Sequence, residues 1–111
     1  MKHWHEREFV IGGWSPAYGD HGWGLLVGEY DDEGALRFGG RVQWGITRTH
    51  REELEHMLGR SVIPGSPFAD HRASAHEVFV EPTLSAEIRY LEMTSGGLLR
   101  HATFRHLGGR G

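Results

Sequence analysis

Eleven arginines and a single lysine, Lys2, carry the positive charge of this 111-residue chain, and several are spaced for work on phosphate. Arg37 and Arg41 stand on one predicted strand and Arg48 lies just beyond it. As a group they could follow the charges of a nucleic-acid backbone. Planar guanidinium forks suit phosphate oxygens, and a bidentate contact fixes geometry as well as charge. Any one of them alone is equally a surface ion-pair partner, so only the group has weight. Trp4, Trp14, Trp23 and Trp44 offer faces on which bases could stack. Trp23 follows a core alternation and reads as buried; Trp14 and Trp44 sit at strand ends, as core lids or as exposed platforms.

Other chemistries find less support. Nine histidines include the pair His3-x-His5 on one strand face, but a structural zinc site needs four convergent ligands and the chain has no cysteine. No metal site is expected. The acidic runs Asp31-Asp32-Glu33 and Glu52-Glu53-Glu55 read as a solvated turn and a helix face, and nothing nominates a general acid or a Ser/His/Asp arrangement.

The elements that must position these residues alternate in a small-barrel order. Glu8 to Trp14 reads as a strand with Phe9 and Ile11 on one face and a bulge at Gly12-Gly13. Trp23 to Tyr30 and Leu36 to Trp44 follow as strands joined by a hairpin turn at Asp31–Gly34, with Leu36, Phe38 and Val42 pointing one way across Gly40. The period then changes. Thr47 or Thr49 can cap a helix, with Glu52 as the capping-box partner of Thr49; Leu54, Met57 and Leu58 form its apolar stripe, and Gly59 stops it. Ser61 to Ser74, with Pro64, Gly65 and Pro67, reads as an irregular connection. Glu77 to Glu81 and Ala86 to Met93 read as two further strands, Thr94 to Gly97 as a hairpin turn, and Leu98 to Phe104 as a final short strand or tail.

Composition bounds the class. One domain of this length can bury about two-thirds of its unfolded surface without staples. Seventeen glycines without a fixed period fit an all-β domain with many tight turns. No apolar run approaches the ~20 residues of a membrane helix, so the expectation is a soluble, cytoplasmic protein without a membrane partner. The net charge of −3 argues against strong autonomous nucleic-acid binding. Its distribution is uneven, however: Gly96 to Gly111 holds three arginines and two histidines and no acid.

Separated motifs carry a more specific signal. Lys2 precedes Glu8-Phe9-Val10-Ile11-Gly12-Gly13-Trp14 by six residues; Gly40-Arg41-Val42 with Gly45, Val80-Glu81-Pro82, and Leu99-Arg100-His101 with Phe104 and Leu107 follow in order. In this the chain resembles the C-terminal oligonucleotide-binding (OB) domain of ATP-dependent DNA ligases, especially the bacterial repair type. The resemblance implies an all-β OB-fold with one helix: a five-stranded Greek-key barrel, over residues 1–111 as a single domain, with the helix between strands 3 and 4. Ala102 stands where the family commonly has Pro, Gln43-Trp44 replaces smaller residues, and Gly108-Gly109-Arg110-Gly111 replaces the usual Arg-x-Asp-Lys ending.

What the resemblance implies about function follows residue by residue. Lys2 and Arg100 would contact ATP phosphates, with Arg110 as a shifted substitute for the missing basic ending; Arg37, Arg41, Arg48 and Arg105 would contact DNA. The chain has no Lys-x-Asp-Gly adenylation segment, so no catalytic residue is expected in isolation. ATP and Mg²⁺ belong to the intact ligase, and the expected partners are nicked duplex DNA and an adenylation domain in cis or in trans, in a nucleoid-associated setting. The rival reading is an independent OB module that binds single-stranded nucleic acid or a protein partner.

Overall fold

Alternation with a period of two, broken at glycines, builds the sheet in the computed structural model, which describes residues 3–16, 22–72 and 76–108. Strands β1 (His5–Ser15), β2 (Gly24–Tyr30) and β3 (Leu36–Val42) form an antiparallel meander. On its other edge β1 pairs with the long β5 (Val78–Tyr90), which also carries the short β4 (Val62–Ile63) and the last strand, β8 (Thr103–Leu107). Trp44, just beyond β3, makes a parallel bridge to Thr103, and the Phe104 N–H donates to the Trp44 carbonyl at 2.8 Å. That contact returns the last strand to the edge of the meander and rolls the sheet into the OB-fold. Helix α1 (Arg48–Leu58) lies between β3 and β4 and sends Leu54 and Leu58 into the barrel core.

Two apolar clusters divide the two faces of the sheet. Inside the barrel, Phe9, Ile11, Trp14, Trp23, Leu25, Val27, Val42, Val80, Ala86, Ile88 and Phe104 pack with the two helical leucines. Outside it, Leu26, Leu36, Phe68 and Phe79 form a second cluster joined by Val10, Phe38 and Ile63. The expectation that Leu36, Phe38 and Val42 share one direction is therefore corrected. Gly28 pairs with Phe38 but its neighbour Val27 pairs with Gly40, so Gly39 is an extra residue in β3. A one-residue bulge reverses the side-chain phase. Leu36 and Phe38 consequently serve the outer cluster, and Val42 the inner one. The bulge expected at Gly12-Gly13 is present, between Ile11 and Gly13.

Three other local expectations change. Thr47 is the N-cap, and its box partner is His50 rather than Glu52: Thr47 Oγ1 accepts from the His50 N–H at 3.1 Å, and His50 Nδ1 accepts from the Thr47 N–H at 3.4 Å. Glu52 instead pairs with Arg48 one turn back. The stretch from Ser61 is not wholly irregular: β4 docks on β5, and Phe68 is buried against the outer sheet face, where a side chain on Gly12 or Gly28 would strike its ring. The two strands expected at Glu77–Glu81 and Ala86–Met93 run as one. Pro82 is accommodated because β5 swings away from β1 there; Ile11 pairs with Leu84 but Gly13 pairs with Phe79. The missing proline N–H is then not demanded by the ladder. A two-stranded ribbon, β6 (Glu92–Met93) and β7 (Leu99–Arg100), precedes β8.

Candidate nucleic-acid interface

Arg37 sits near the hairpin end of β3, opposite Glu29 on β2, and its Nε lies 3.9 Å from Asp31 and 3.7 Å from Asp70. Asp70 is fixed there because its other oxygen accepts from the Phe38 N–H at 2.8 Å. Together these groups border a cleft of about 260 Å³ between the hairpin and the tip of the β6–β7 ribbon at Ser95–Gly97. Arg7, which sequence reasoning passed over, stands near this end of the barrel. It donates to the Tyr90 hydroxyl at 3.3 Å and is ion-paired with Glu29. The Tyr90 hydrogen bond first, and the Glu29 charge after it, outweigh partial burial and raise the Arg7 guanidinium above its ordinary pKa. The signal for Arg7 was its strand parity with Phe9 and Ile11, which puts it on the inward face beyond the last apolar residue.

Near the other end of β3, Arg41 lays its stem across Gly24, which has no side chain to obstruct it, and donates to the Gly22 carbonyl. Gly22 is also on the rim of a second cleft, of about 330 Å³, lined by Trp23, Gln43, Trp44, Ile46, Thr47, Arg48 and Arg51. Arg48 is largely exposed and its Nε lies 3.8 Å from Glu52. Arg51, in the next position to His50 on α1, was not singled out from the sequence; its place is set by the cap at Thr47. Trp44 is 69% exposed, whereas Trp14 and Trp23 belong to the core. Trp23 donates its indole N–H to Glu55 at 2.6 Å, which satisfies the polar edge of a buried ring.

Arg105 projects from β8 on a third face, 3.7 Å from Glu6. Glu6 also meets Arg89 at 4.0 Å, and the Arg89 guanidinium lies 5.1 Å over the Trp4 ring. Arg100 ends β7 and pairs with Glu92 across the ribbon at 3.3 Å, with more than half of its side chain exposed. The next residue, His101, takes a φ of 56°, the left-handed turn that redirects the chain into β8. Lys2 and Arg110 lie outside the described residues.

The four arginines expected on DNA thus do not form one track. Arg48 lines the second cleft and Arg41 reaches only its rim, through the Gly22 carbonyl; Arg37 is near the opposite end of β3, and Arg105 is on another face. Arg37, Arg48 and Arg105 each stand beside a carboxylate, and exposed pairs of this kind contribute only about 0–1 kcal/mol. A phosphate can therefore replace the carboxylate at small cost. Among the described residues, no three His, Asp or Glu side chains converge to hold a metal ion, and no helix is long and apolar enough to cross a membrane.

Comparison with known proteins agrees with this architecture. The model of the family described as the ATP dependent DNA ligase C terminal region matches residues 20–108. The chain is 37% identical over 111 residues to the multifunctional non-homologous end joining DNA repair protein LigD of Mycobacterium tuberculosis. It is 39% identical over 112 residues to LigD of Mycolicibacterium smegmatis. In both cases 96% of the chain is aligned, and it spans 15% of the relative's length. The crystal structure of the ligase domain of M. tuberculosis LigD superimposes with a TM-score of 0.83 at 37% identity, covering 96% of this chain and 36% of that one. A mycobacterial DNA ligase D complexed with ATP and MES gives a TM-score of 0.79 at 36% identity, covering 96% and 35%.

Proposed function

Because this chain belongs to the family of ATP-dependent DNA ligase C-terminal regions, we propose that it holds DNA and caps the active site of such a ligase. In this role it assists lysine adenylation and nick sealing beside an adenylation domain, joined in cis or supplied in trans. The observation that carries the reading is the presentation of Arg100. Its backbone is tied into the ribbon, with the Leu91 N–H donating to the Arg100 carbonyl at 3.1 Å, while its head group is held only by the exposed pair with Glu92. A fixed stem with an exchangeable partner suits a cation that must meet phosphate when two domains close.

The chemistry required of Arg100 is electrostatic. When a lysine of the adenylation domain attacks the α-phosphorus of ATP, the P–O bond to the β-phosphate breaks and negative charge gathers on the departing pyrophosphate. A guanidinium already in position stabilises that charge without reorganisation. Lys2 and Arg110 complete the phosphate contacts in this proposal. After AMP passes from the lysine to the 5′-phosphate of a nick, the 3′-hydroxyl displaces it, and Arg37, Arg41, Arg48 and Arg105 hold the duplex backbone. Among the described residues no three carboxylate or imidazole groups converge, and no step assigned to this chain runs through the Mg²⁺ that accompanies ATP. A soluble protein acting at the nucleoid completes the proposal.

The test supplies the chain to a separate ligase adenylation domain and follows labelled lysyl-AMP. The chain is expected to accelerate its formation. Arg100→Ala should remove about tenfold or more of that gain, with partial recovery in Arg100→Lys. An adenylation rate indifferent to the added chain overturns the capping role.

A further inference from the structure

We propose that the cleft between Trp44 and the first turn of α1 binds one unpaired nucleotide of a DNA strand, its base on Trp44 and its phosphate on Arg48 and Arg51. This deepens the DNA-holding reading above and rests on it.

The first support is the indole itself. Trp44 is 69% exposed, yet its backbone is tied to the last strand. The parallel bridge to Thr103 holds it on one side, and its carbonyl accepts from Phe104 at 2.8 Å. The following Gly45 has a φ of +82° and no space for a side chain against the Phe104 carbonyl. A large aromatic face is thus displayed on a pinned stem, and little ordering is needed when something stacks on it. The barrel does not need this ring, since Trp14 and Trp23 already fill the neighbouring core.

The second support is the company the ring keeps. Among the described residues the cleft is lined by two arginines, an exposed glutamine and no acid, and the Glu52 that pairs with Arg48 from outside it is itself exposed and exchangeable. At Gly22 an added side chain would meet, among the described residues, only Gln43 at 3.8 Å. Among the described residues the other exposed large apolar side chains, Trp4, Tyr30, Val62, Met93 and Leu98, lie on other elements, so none of them joins Trp44 in an apolar patch of the kind that docks proteins. The helix terminus is not the anion site, because Thr47 and His50 already cap each other. The guanidiniums and the ring are the recognition groups.

The third support selects the ligand. In a duplex each base is stacked on its neighbours and has no face to offer. An unpaired base does, and aromatic stacking with flanking cations is how such strands are held. A volume of about 330 Å³ lies at the lower end of small-ligand clefts, which suits one nucleotide rather than a helix.

Anisotropy of a labelled oligothymidylate, an abasic strand of equal length and a blunt duplex, at low ionic strength, tests the idea. Trp44→Ala should weaken oligothymidylate binding about tenfold or more, Trp44→Phe should retain most of it, and the duplex should be nearly unaffected. Arg51→Gln should weaken both single strands and reduce their salt dependence. Equal affinity for the abasic strand and oligothymidylate overturns the proposal, as does indifference to Trp44→Ala. Duplex binding without a Trp44-dependent strand overturns this inference alone, whereas no binding of strand or duplex overturns the DNA-holding reading too. Protection of Trp44 by the adenylation domain, with no effect of its loss on the strand, assigns the cleft to a protein contact instead.

Discussion

Gly45 shows how one residue can decide both closure and site geometry. At a φ of +82° an L side chain is strained by about 1–2 kcal/mol. A Cβ would also stand 2.4 Å from the Phe104 carbonyl oxygen, a backbone atom that cannot rotate aside. Gly45→Ala must therefore push β8 from the end of β3 and break the bridge that fixes Trp44. The expected loss is about 2–4 kcal/mol in urea unfolding, within the range of backbone-strain mutations. Gly59→Ala is the matched control: its φ is −60° and nothing lies within 4 Å of the added methyl. That variant should be neutral or more stable by up to about 1 kcal/mol. Equal midpoints for the two variants would show that the bridge at Trp44 does not hold the barrel closed.

At the scale of elements, the segment after α1 is a cover for the outer sheet face rather than a loose connection. Phe68 rests against Gly12 and Gly28, packs edge-on to Phe38 at 5.1 Å, and is 4% exposed. Its flanks are tied down as well: the Ala69 N–H donates to the Leu36 carbonyl at 2.7 Å, and His71 bonds Glu77 while stacking on Phe38 at 3.9 Å. Phe68→Ala should cost about 3–5 kcal/mol. Hydrogen exchange should quicken at the Ala69 and Phe38 amides while the central β1–β5 ladder stays slow. Uniform loss of protection would mean that the cover is not a separate layer. This layer was hidden in the sequence because Phe68 is a lone apolar residue among Pro, Gly and Ser, without a period to announce it. The first three strands, the helix and both hairpin turns were legible because their signals are local: alternation, a Thr cap, a turn glycine. The face switch at Gly39 and the continuity of β5 through Pro82 depend on partner strands, which no local pattern contains. The arginines of the candidate site were legible by type and the acids beside them were not. The pairs Arg37–Asp70 and Arg105–Glu6 join residues far apart in the chain.

For the whole molecule, the formal charge of −3 is less decisive than where the carboxylates sit. Glu6 lies between Arg89 and Arg105, and Glu52 lies beside Arg48, so two of the arginines proposed for DNA, Arg48 and Arg105, are each partly neutralised by an exposed ion pair. Such pairs are screened by salt and yield readily to a phosphate, but each exchange forfeits part of the gain. Converting Glu6 and Glu52 to Gln removes both acids and raises the net charge by two. Duplex affinity should then rise about threefold to tenfold at low salt, and the fall of log K with log salt should steepen by up to about 1–2. Stability should change by no more than about 0.5 kcal/mol, because both side chains are exposed. Asp32→Asn with Glu33→Gln provides the control. It makes the same change in net charge in the β2–β3 turn, where no ion pair to either residue is present among the described residues. Release of particular arginines predicts a strong effect from the first pair and a weak one from the second. Equal effects would mean that only the overall field matters, and would remove Arg48 and Arg105 from the interface.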